Sequence, residues 1–171
     1  MKYSVNAVKS FRGMEGHGFN ANLLQDGKKV AFVIDEANGG EYHYEWLDHN
    51  EPRVEGKYRN YKDEILTRKM TPAEKAFNEY VLSFPSEDMG AGLGVMYLNE
   101  DCVMGKLVGE FEQDKQMIGW CKKSVVFSVK GDKEGEFRTL KTLWKGNEVK
   151  IKEYIGKKYG SDCEILNERY A

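Results

Sequence analysis

The sequence predicts an α+β fold: an N-terminal antiparallel β-meander, two central helices, and a C-terminal β-hairpin followed by a helix and a short strand. Three observations lead to this prediction. Residues 1–48 alternate apolar with polar side chains, and tight-turn sequences interrupt the alternation. Residues 71–121 repeat their apolar side chains at helical spacing. Residues 122–171 return to alternation and end with one more helical repeat.

The meander is predicted from four apolar segments and the turns between them. The strand candidates are residues 3–7, 19–23, 30–34 and 41–47. Asp26-Gly27 is typical of a two-residue hairpin turn, because such a turn needs positive φ angles, which glycine adopts without strain. Asn38-Gly39-Gly40 marks the next turn. Residues 48–69 have little periodicity, and we expect a loop or an irregular crossing there.

The first central helix has the clearest start in the chain. Thr71-Pro72-Ala73-Glu74 is a capping box with proline at the first helical position. Pro85 is expected to end this helix. A glycine-rich loop at residues 86–98 leads to the second helix, which Asn99 or Asp101 can cap.

The C-terminal part is predicted as a hairpin, a helix and a strand. The hairpin comprises an alternating segment at 125–129, a turn at 131–135 and a return strand at 137–143. Asn147 can cap the third helix, because asparagine is a favoured N-cap residue. A short final strand is expected from Cys163 to Leu166.

Length and composition predict one globular domain spanning residues 1–171. The chain is 40% hydrophobic and contains eight Phe, ten Tyr and three Trp, which a disordered chain would lack. Its formal net charge of −2 produces no overall field that would require a nucleic-acid or membrane partner. Charged residues interrupt every apolar stretch near the start, and no run approaches the ~20 residues of a membrane span. We therefore expect a soluble cytoplasmic protein without a membrane partner.

No local motif points to a metal, a cofactor or a catalytic nucleophile. The three cysteines, Cys102, Cys121 and Cys163, are widely spaced and are expected to be reduced. His43, Asp48 and His49 could hold a metal only with a further converging ligand, and surface histidines are the simpler interpretation. The glycine clusters at 13–18 and 90–94 lack the sequences of phosphate-binding loops. We expect no catalytic residue, metal or cofactor, although a small enzyme with an unrecognised site stays open.

Charge is segregated along the chain. Residues 86–121 contain seven acidic residues and two lysines, whereas residues 122–160 contain eleven basic and five acidic residues. A basic β-ribbon can enter a nucleic-acid groove, so this face is a candidate nucleic-acid interface. Its candidate residues are Lys122, Lys123, Lys130, Lys133, Arg138, Lys141 and Lys145. The alternative is a solvated face, which a pI near 6.0 favours.

A second mixture of basic and aromatic residues lies in residues 53–62. Arg53, Lys57, Arg59 and Lys62 alternate there with Tyr58 and Tyr61. Proteins that hold single-stranded nucleic acid combine the same two residue types, by charge and by stacking. The alternative is again a solvated face.

Two further groups are candidate protein-binding residues. Tyr42, Tyr44 and Trp46 fall on one face of a predicted strand, where they either pack into the core or form an aromatic hot spot. The second helix carries acidic side chains on its polar face, and these are the other candidates: Glu110, Glu112 and Asp114.

Several segments resemble small uncharacterised proteins encoded by bacteriophages and mobile elements. They include Phe11-Arg12-Gly13-Met14-Glu15-Gly16-His17-Gly18-Phe19-Asn20, Asp26-Gly27-Lys28-Lys29-Val30-Ala31-Phe32, Gly39-Gly40, Trp46-Leu47-Asp48 and residues 130–140. The resemblance implies an accessory protein that acts stoichiometrically on host or defence machinery. We therefore expect a non-enzymatic protein that binds and inhibits or modulates a host protein assembly, as an anti-CRISPR-like inhibitor does. Nucleic-acid binding by the basic hairpin is the alternative, and the oligomeric state stays open.

Overall fold

The computed structural model describes residues 2–85, 87–88, 94–133 and 135–171, with the backbone alone at 87–88. The strands are β1 (Tyr3–Gly13), β2 (Gly16–Gln25), β3 (Lys28–Asp35), β4 (His43–Trp46), β5 (Val54–Arg59), β6 (Ile65–Met70), β7 (Glu87–Asp88), β8 (Val95–Met96), β9 (Val125–Val129), β10 (Arg138–Leu140) and β11 (Cys163–Ile165). The helices are α1 (Pro72–Leu82), α2 (Glu100–Cys121), α3 (Glu148–Tyr159) and α4 (Asn167–Tyr170). The α+β prediction is confirmed.

The chain divides into two compact units. The first unit is Met1–Phe111 and the second is Glu112–Ala171, so that α2 contributes residues to both. This division leaves the expectation of a single domain over residues 1–171 as a prediction, because compactness alone does not establish whether two units unfold separately.

The main sheet of the first unit is the predicted meander. Its four strands lie in the order β1-β2-β3-β4, and each pairs antiparallel with the next. The pairing of β1 with β2 shifts register between Asn6 and Lys9, where Ala7 has a φ of 52°. This bulge explains why the apolar alternation of the first strand breaks at Val8. The Asp26-Gly27 turn has φ angles of 48° and 81°, as a two-residue hairpin turn requires.

The core of the first unit lies between this sheet and the two central helices. Phe77 and Val81 of α1 and Met104 of α2 are fully buried against Leu23 and Val33 of the sheet. Helical spacing places these apolar side chains on one face of each helix, and their burial stabilises each side chain by about 1.5–3 kcal/mol.

Both central helices begin where capping residues were expected. The Glu74 N–H donates to the Thr71 hydroxyl over 3.1 Å, and the Thr71 N–H donates to the Glu74 carboxylate over 3.3 Å. The capping box is therefore confirmed. At the start of α2 the Cys102 N–H donates to the Asn99 side chain over 2.9 Å, so Asn99 rather than Asp101 is the capping side chain.

The prediction of a loop over residues 48–69 is wrong, because β5 and β6 form an antiparallel hairpin there. The Asn60 side-chain oxygen closes the turn by accepting the N–H groups of Lys62 and Glu64, each over 2.9 Å. Asparagine is a turn residue for this reason. Every β6 side chain before Met70 is exposed, so the strand shows no apolar alternation from which it could be predicted.

The second unit contains a three-stranded sheet in the order β10-β9-β11. Val125 and Phe127 pack on one face of β9 with Ile151 and Ile155 of α3. Val126 packs on the other face with Cys121 and Leu166. The C-terminal hairpin, helix and strand were predicted, whereas the short helix α4 was not.

Parts of two predicted features lie outside the described residues. These are residues 86 and 89–93 of the glycine-rich loop, and Glu134 in the turn of the C-terminal hairpin. Among the helices of the described ranges, none combines the length and apolar character that crossing a membrane demands.

Candidate functional site

A cavity of about 550 Å³ opens in the first unit, and we call it the polar pocket. It is lined by Glu41, Tyr42, Tyr44, Trp46, Arg53, Tyr58, Arg59, Asn60, Tyr61, Arg68, Glu74, Asn99, Glu100 and Asp101. These residues come from β4, the β5–β6 hairpin, and the N-terminal ends of α1 and α2. The volume is typical of pockets that bind small molecules.

The predicted aromatic stripe forms one wall of the polar pocket. Tyr42, Tyr44 and Trp46 lie on one face of the chain, and the rings of Tyr44 and Trp46 are stacked with centroids 5.7 Å apart. Trp46 is 8% exposed and also contacts Phe77 of the core. The stripe therefore packs into the core and also lines a cavity, whereas its role in protein binding stays a prediction.

The β5–β6 hairpin contributes residues of the mixed basic and aromatic segment to the lining of the polar pocket. The Arg68 guanidinium lies 4.3 Å from the ring centroid of Tyr58, a distance typical of cation–π stacking. Arg59 pairs with Asp63 over 3.2 Å and donates to the Leu98 carbonyl over 3.2 Å. These contacts hold both guanidinium groups in place.

Tyr61 lies at the tip of the hairpin and is 75% exposed. Its ring lines the polar pocket, and a lysine from the same turn, Lys62, lies 5.5 Å from its centroid. The ring is therefore available to a molecule entering the pocket. Lys57 and Lys62, the two lysines of this segment, are not among the lining residues.

The Glu74 carboxylate is saturated by groups that hold the fold. One oxygen accepts from Arg68 over 2.7 Å, and the other accepts the Thr71 N–H of the capping box. Arg53 lies 3.6 Å from the second oxygen. Since charge-assisted hydrogen bonds occupy both oxygens, Glu74 anchors the pocket wall.

The Asp101 carboxylate is saturated in a similar way. One oxygen accepts the Tyr42 N–H and the other accepts the Tyr44 hydroxyl, each over 3.1 Å. Burial raises the pKa of Asp101, and these two hydrogen bonds oppose the rise. Burial together with the Asp101 charge raises the pKa of Tyr44 well above its usual range.

Glu100 differs from the other two carboxyls. Its side chain is 14% exposed, its ion pair with Arg68 is long at 3.4 Å, and the Asn78 side chain also hydrogen-bonds to it. Burial raises the pKa of Glu100 from 4.5 to about 7, although Asn78 and Arg68 both lower it. The polar pocket therefore contains one carboxyl that gains or loses a proton near neutral pH.

The lining residues favour hydrogen bonding to a polar ligand of low net charge. Three arginines supply donors and four carboxyls supply acceptors, so that the formal charges nearly cancel. Within the described ranges, no group of three or more His, Cys, Asp or Glu residues is arranged to hold a metal ion. The arginines, carboxyls and aromatic rings of the lining can supply hydrogen bonding, stacking and proton exchange.

The predicted acidic residues lie outside the polar pocket. Glu110, Glu112 and Asp114 are all exposed on α2. Asp114 accepts a hydrogen bond from the Tyr170 hydroxyl over 2.7 Å, a contact that raises the pKa of Tyr170.

The predicted basic residues are all exposed on the second unit, where β9 pairs with both β10 and β11 and no free two-stranded ribbon is present in its described residues. Lys122, Lys123, Lys130, Lys133, Arg138, Lys141 and Lys145 are these residues. Arg138 donates to both oxygens of Asp132, over 2.7 and 3.1 Å, and Lys130 pairs with Asp162 over 3.3 Å. The positive charges of Arg138 and Lys130 are therefore partly neutralised.

One basic candidate, Lys141, lines a cavity of about 350 Å³ beside α3, which we call the basic groove. Its lining residues are Leu140, Lys141, Thr142, Asn147, Lys150, Ile151 and Tyr154. The groove contains two lysines and no carboxyl group among these residues, a composition that favours anions.

The chemistry of the polar pocket was missed in the sequence, although several of its residues were noted for other reasons. Glu74 was recognised only as part of a capping box and Asp101 only as a possible cap. Arg68 and Glu100 gave no signal of their own. The available signal was the pair of acidic helix starts, at Glu74 and at Glu100-Asp101, which the fold brings to one cavity.

No protein-family model, curated protein or solved structure matches this chain. The phage resemblance therefore stays a prediction, and the functional proposals depend on the residues of the two cavities.

Proposed function

We propose that the first unit binds a small, largely uncharged ligand with a planar heterocyclic ring, namely a nucleobase or nucleoside, in the polar pocket. The observation that supports this proposal is the combination in one cavity of aromatic rings, arginine donors and carboxyl acceptors. The volume of about 550 Å³ accommodates a molecule of this size.

Aromatic side chains give the ligand ring a surface on which to stack. Tyr61 is 75% exposed, and Tyr58 and Tyr44 line the same cavity. Stacking of a base on an aromatic side chain contributes about 1–3 kcal/mol and does not depend strongly on which base it is.

Arginine and carboxyl groups supply complementary partners for the edge of a base. Arginine donates to carbonyl oxygens and ring nitrogens, and carboxylates accept from exocyclic amino groups. Arg53 and Arg68 each pair with Glu74 and are about half exposed, so part of each side chain stays accessible to a ligand. The hydrogen-bonding edge of a base presents donors and acceptors side by side. It therefore matches the arginine and carboxyl groups of the polar pocket better than a purely anionic group does.

The charge balance favours nucleosides over nucleoside triphosphates. Four carboxyls share the polar pocket with three arginines, and the arginines are already paired with Glu74, Glu100 and Asp63. A triphosphate would bring several negative charges near these carboxylates, which costs affinity because like charges repel.

Isothermal titration calorimetry of the full chain tests this proposal with nucleosides, nucleoside triphosphates and monosaccharides. We expect saturable binding of nucleosides and weaker binding of triphosphates. Tyr61→Ala should weaken nucleoside binding by about 1–3 kcal/mol, the contribution of one stacked base. Ile65→Ala is the matched control, since Ile65 is an exposed apolar residue of the same hairpin that does not line the polar pocket.

Two results would contradict the proposal. The first is binding of monosaccharides without binding of nucleosides, which would identify a sugar site. The second is an equal effect of Tyr61→Ala and Ile65→Ala, which would mean that general surface changes rather than ring stacking alter the affinity.

Nucleic-acid binding by the second unit is a second candidate, and the basic groove supports it. Lys141 and Lys150 line this groove without a carboxyl among the lining residues. We expect single-stranded DNA to bind at low salt and to dissociate as salt rises, because phosphate contacts release counterions. Replacing both lysines by glutamine should lower the slope of log affinity against log salt by about 2. Lys157 lies on α3, as Lys150 does, but outside the groove. Lys157→Gln should therefore change the salt slope by less than the replacement of either groove lysine does.

Binding of a host or defence-system protein, which the phage resemblance implies, stays a prediction. Exposed apolar side chains at strand turns, such as Met14 at 98% exposure, are compatible with a protein partner. Recovery of a stoichiometric partner from host lysate is the measurement that addresses it.

A further inference from the structure

We propose that Glu100 recognises the hydrogen-bonding edge of the bound base, donating to a ring nitrogen when it is protonated and accepting from a ring N–H when it is ionised. This inference rests on the proposed function and adds a specificity that depends on pH. The ionisation state of this one carboxyl would determine which of two classes of base binds more tightly.

The geometry singles out Glu100 among the three carboxyls at the helix starts. Glu74 and Asp101 each have both oxygens engaged by backbone or side-chain donors. Glu100 has one long ion pair, 3.4 Å from Arg68, while its side chain lines the cavity and is 14% exposed. A ligand in the polar pocket can therefore bond to Glu100 in exchange for the long Arg68 contact.

The charged and polar groups that face Glu100 come from every element around it. Arg68 approaches from β6, Glu74 and Asn78 from α1, Tyr44 from β4, and Asp101 follows it on α2. Burial, Glu74 and Asp101 favour the protonated form, whereas Arg68 and the hydrogen bond from Asn78 favour the ionised form. The opposed influences leave the pKa of Glu100 at about 7, where both forms are populated.

The four common bases divide into two classes at the ring nitrogen of their pairing edge. Adenine and cytosine present a lone pair there, so they need a donor, which protonated Glu100 provides. Guanine and uracil present an N–H, so they need an acceptor, which ionised Glu100 provides. None of these ring nitrogens titrates near neutral pH, and any pH dependence in that range therefore originates in the protein.

The prediction is a pH dependence of opposite sign for the two classes. The fraction of protonated Glu100 falls about tenfold between about pH 6 and about pH 8, and apparent affinity scales with the fraction of competent protein. Adenosine and cytidine should therefore bind about tenfold more weakly at the higher pH. Guanosine and uridine should bind about tenfold more tightly there.

The experiment is calorimetric titration of the full chain with each of the four nucleosides at both pH values. The wild-type comparison needs no variant, so a folding defect cannot obscure it. Glu100→Gln provides a side chain that is both donor and acceptor and does not titrate. In this variant we expect the pH dependence to fall below about twofold for both classes. Glu79→Gln, an exposed carboxylate of α1 outside the polar pocket, should keep the wild-type pattern.

The outcomes separate this inference from the proposed function. Nucleoside binding with no pH dependence, or with the same sign for both classes, overturns the role of Glu100 and leaves the nucleoside pocket intact. Retention of the opposed pattern in Glu100→Gln also overturns it, since another group would then be titrating. Absence of nucleoside binding at either pH overturns both proposals.

Discussion

Glu100 and Asp101 are consecutive residues whose carboxyl groups have different surroundings. Asp101 receives two hydrogen bonds at 3.1 Å, one from the backbone and one from a phenol. Glu100 is more deeply desolvated and has only a long ion pair at 3.4 Å together with the Asn78 contact. At the scale of the residue, burial is the largest cause of the raised pKa of both carboxyls, and the deeper desolvation of Glu100 raises its pKa to about 7.

This difference predicts a pH-dependent effect of Glu100→Gln on stability. The pKa of Glu100 rises from 4.5 to about 7 on folding, so the folded state holds the proton more tightly and stability falls as pH rises through this window. Removing the ionisation should therefore increase the free energy of unfolding by up to about 3 kcal/mol near pH 8 and change it little near pH 5. Urea denaturation of the wild type and of Glu100→Gln at these two pH values measures the change in the free energy of unfolding. An equal change at both pH values would contradict the raised pKa of Glu100.

At the scale of the element, the two central helices depend on polar side chains at their first turns. In α1 the Thr71 hydroxyl and the Glu74 carboxylate exchange hydrogen bonds with each other's backbone. The same Glu74 carboxylate binds Arg68 of β6 over 2.7 Å. One glutamate thus links the start of a helix to the hairpin that forms a wall of the polar pocket.

Thr71→Ala should destabilise the protein by about 1 kcal/mol, because the Glu74 N–H loses its side-chain acceptor at a buried position. Thr71→Ser keeps the hydroxyl and should lose less. Chemical denaturation of both variants provides the measurement. If Thr71→Ser and Thr71→Ala lower the free energy of unfolding equally, the γ-methyl group of Thr71, which both variants lack, would be responsible rather than the capping hydroxyl.

At the scale of the whole molecule, the two units differ in formal charge and in the cavity proposed as the binding site of each. The first unit has 13 basic and 18 acidic residues, and the second has 13 basic and 10 acidic residues. The polar pocket lies within the first unit and the basic groove within the second. The two proposed binding activities therefore require different ligands and can be measured separately on one chain.

Asn167 offers a test of how the units unfold. Its buried side chain accepts the Val126 N–H over 2.6 Å and donates to the carbonyls of Cys121 and Ser124, each over 2.9 Å. Asn167→Ala leaves these groups without partners and should cost about 2 kcal/mol or more. Hydrogen exchange of the full chain should become faster across residues 112–171, and unchanged exchange there would contradict the assigned role.

The same measurement addresses the predicted single domain. An equal acceleration in residues 2–85 would mean that the chain unfolds as one cooperative domain, and an effect confined to residues 112–171 would mean two. Asn22→Ala is the control, since the Asn22 side chain donates to Asn6 in an exposed pair and the loss of this contact should cost less than about 0.5 kcal/mol.

Local sequence signals predicted the elements whose information is local. The Asp26-Gly27 turn and the Thr71 capping box each depend on neighbouring residues, and both were identified in the sequence. The β5–β6 hairpin was missed because every β6 side chain before Met70 is exposed, so the strand carries no apolar alternation. The polar pocket was missed because its residues lie between positions 41 and 101, and only the fold brings them together.

Strand β9 is buried on both faces, and this has a consequence for folding. Val125 and Phe127 face α3, whereas Val126 faces the cluster that contains residues of α2 and α4. A pairing slip of one residue would exchange the two faces and turn the large Phe127 ring toward the space that the smaller Val126 fills. Misaligned pairings of the second unit are thus penalised by volume rather than by polarity, which directs the strand to one partner alignment during folding.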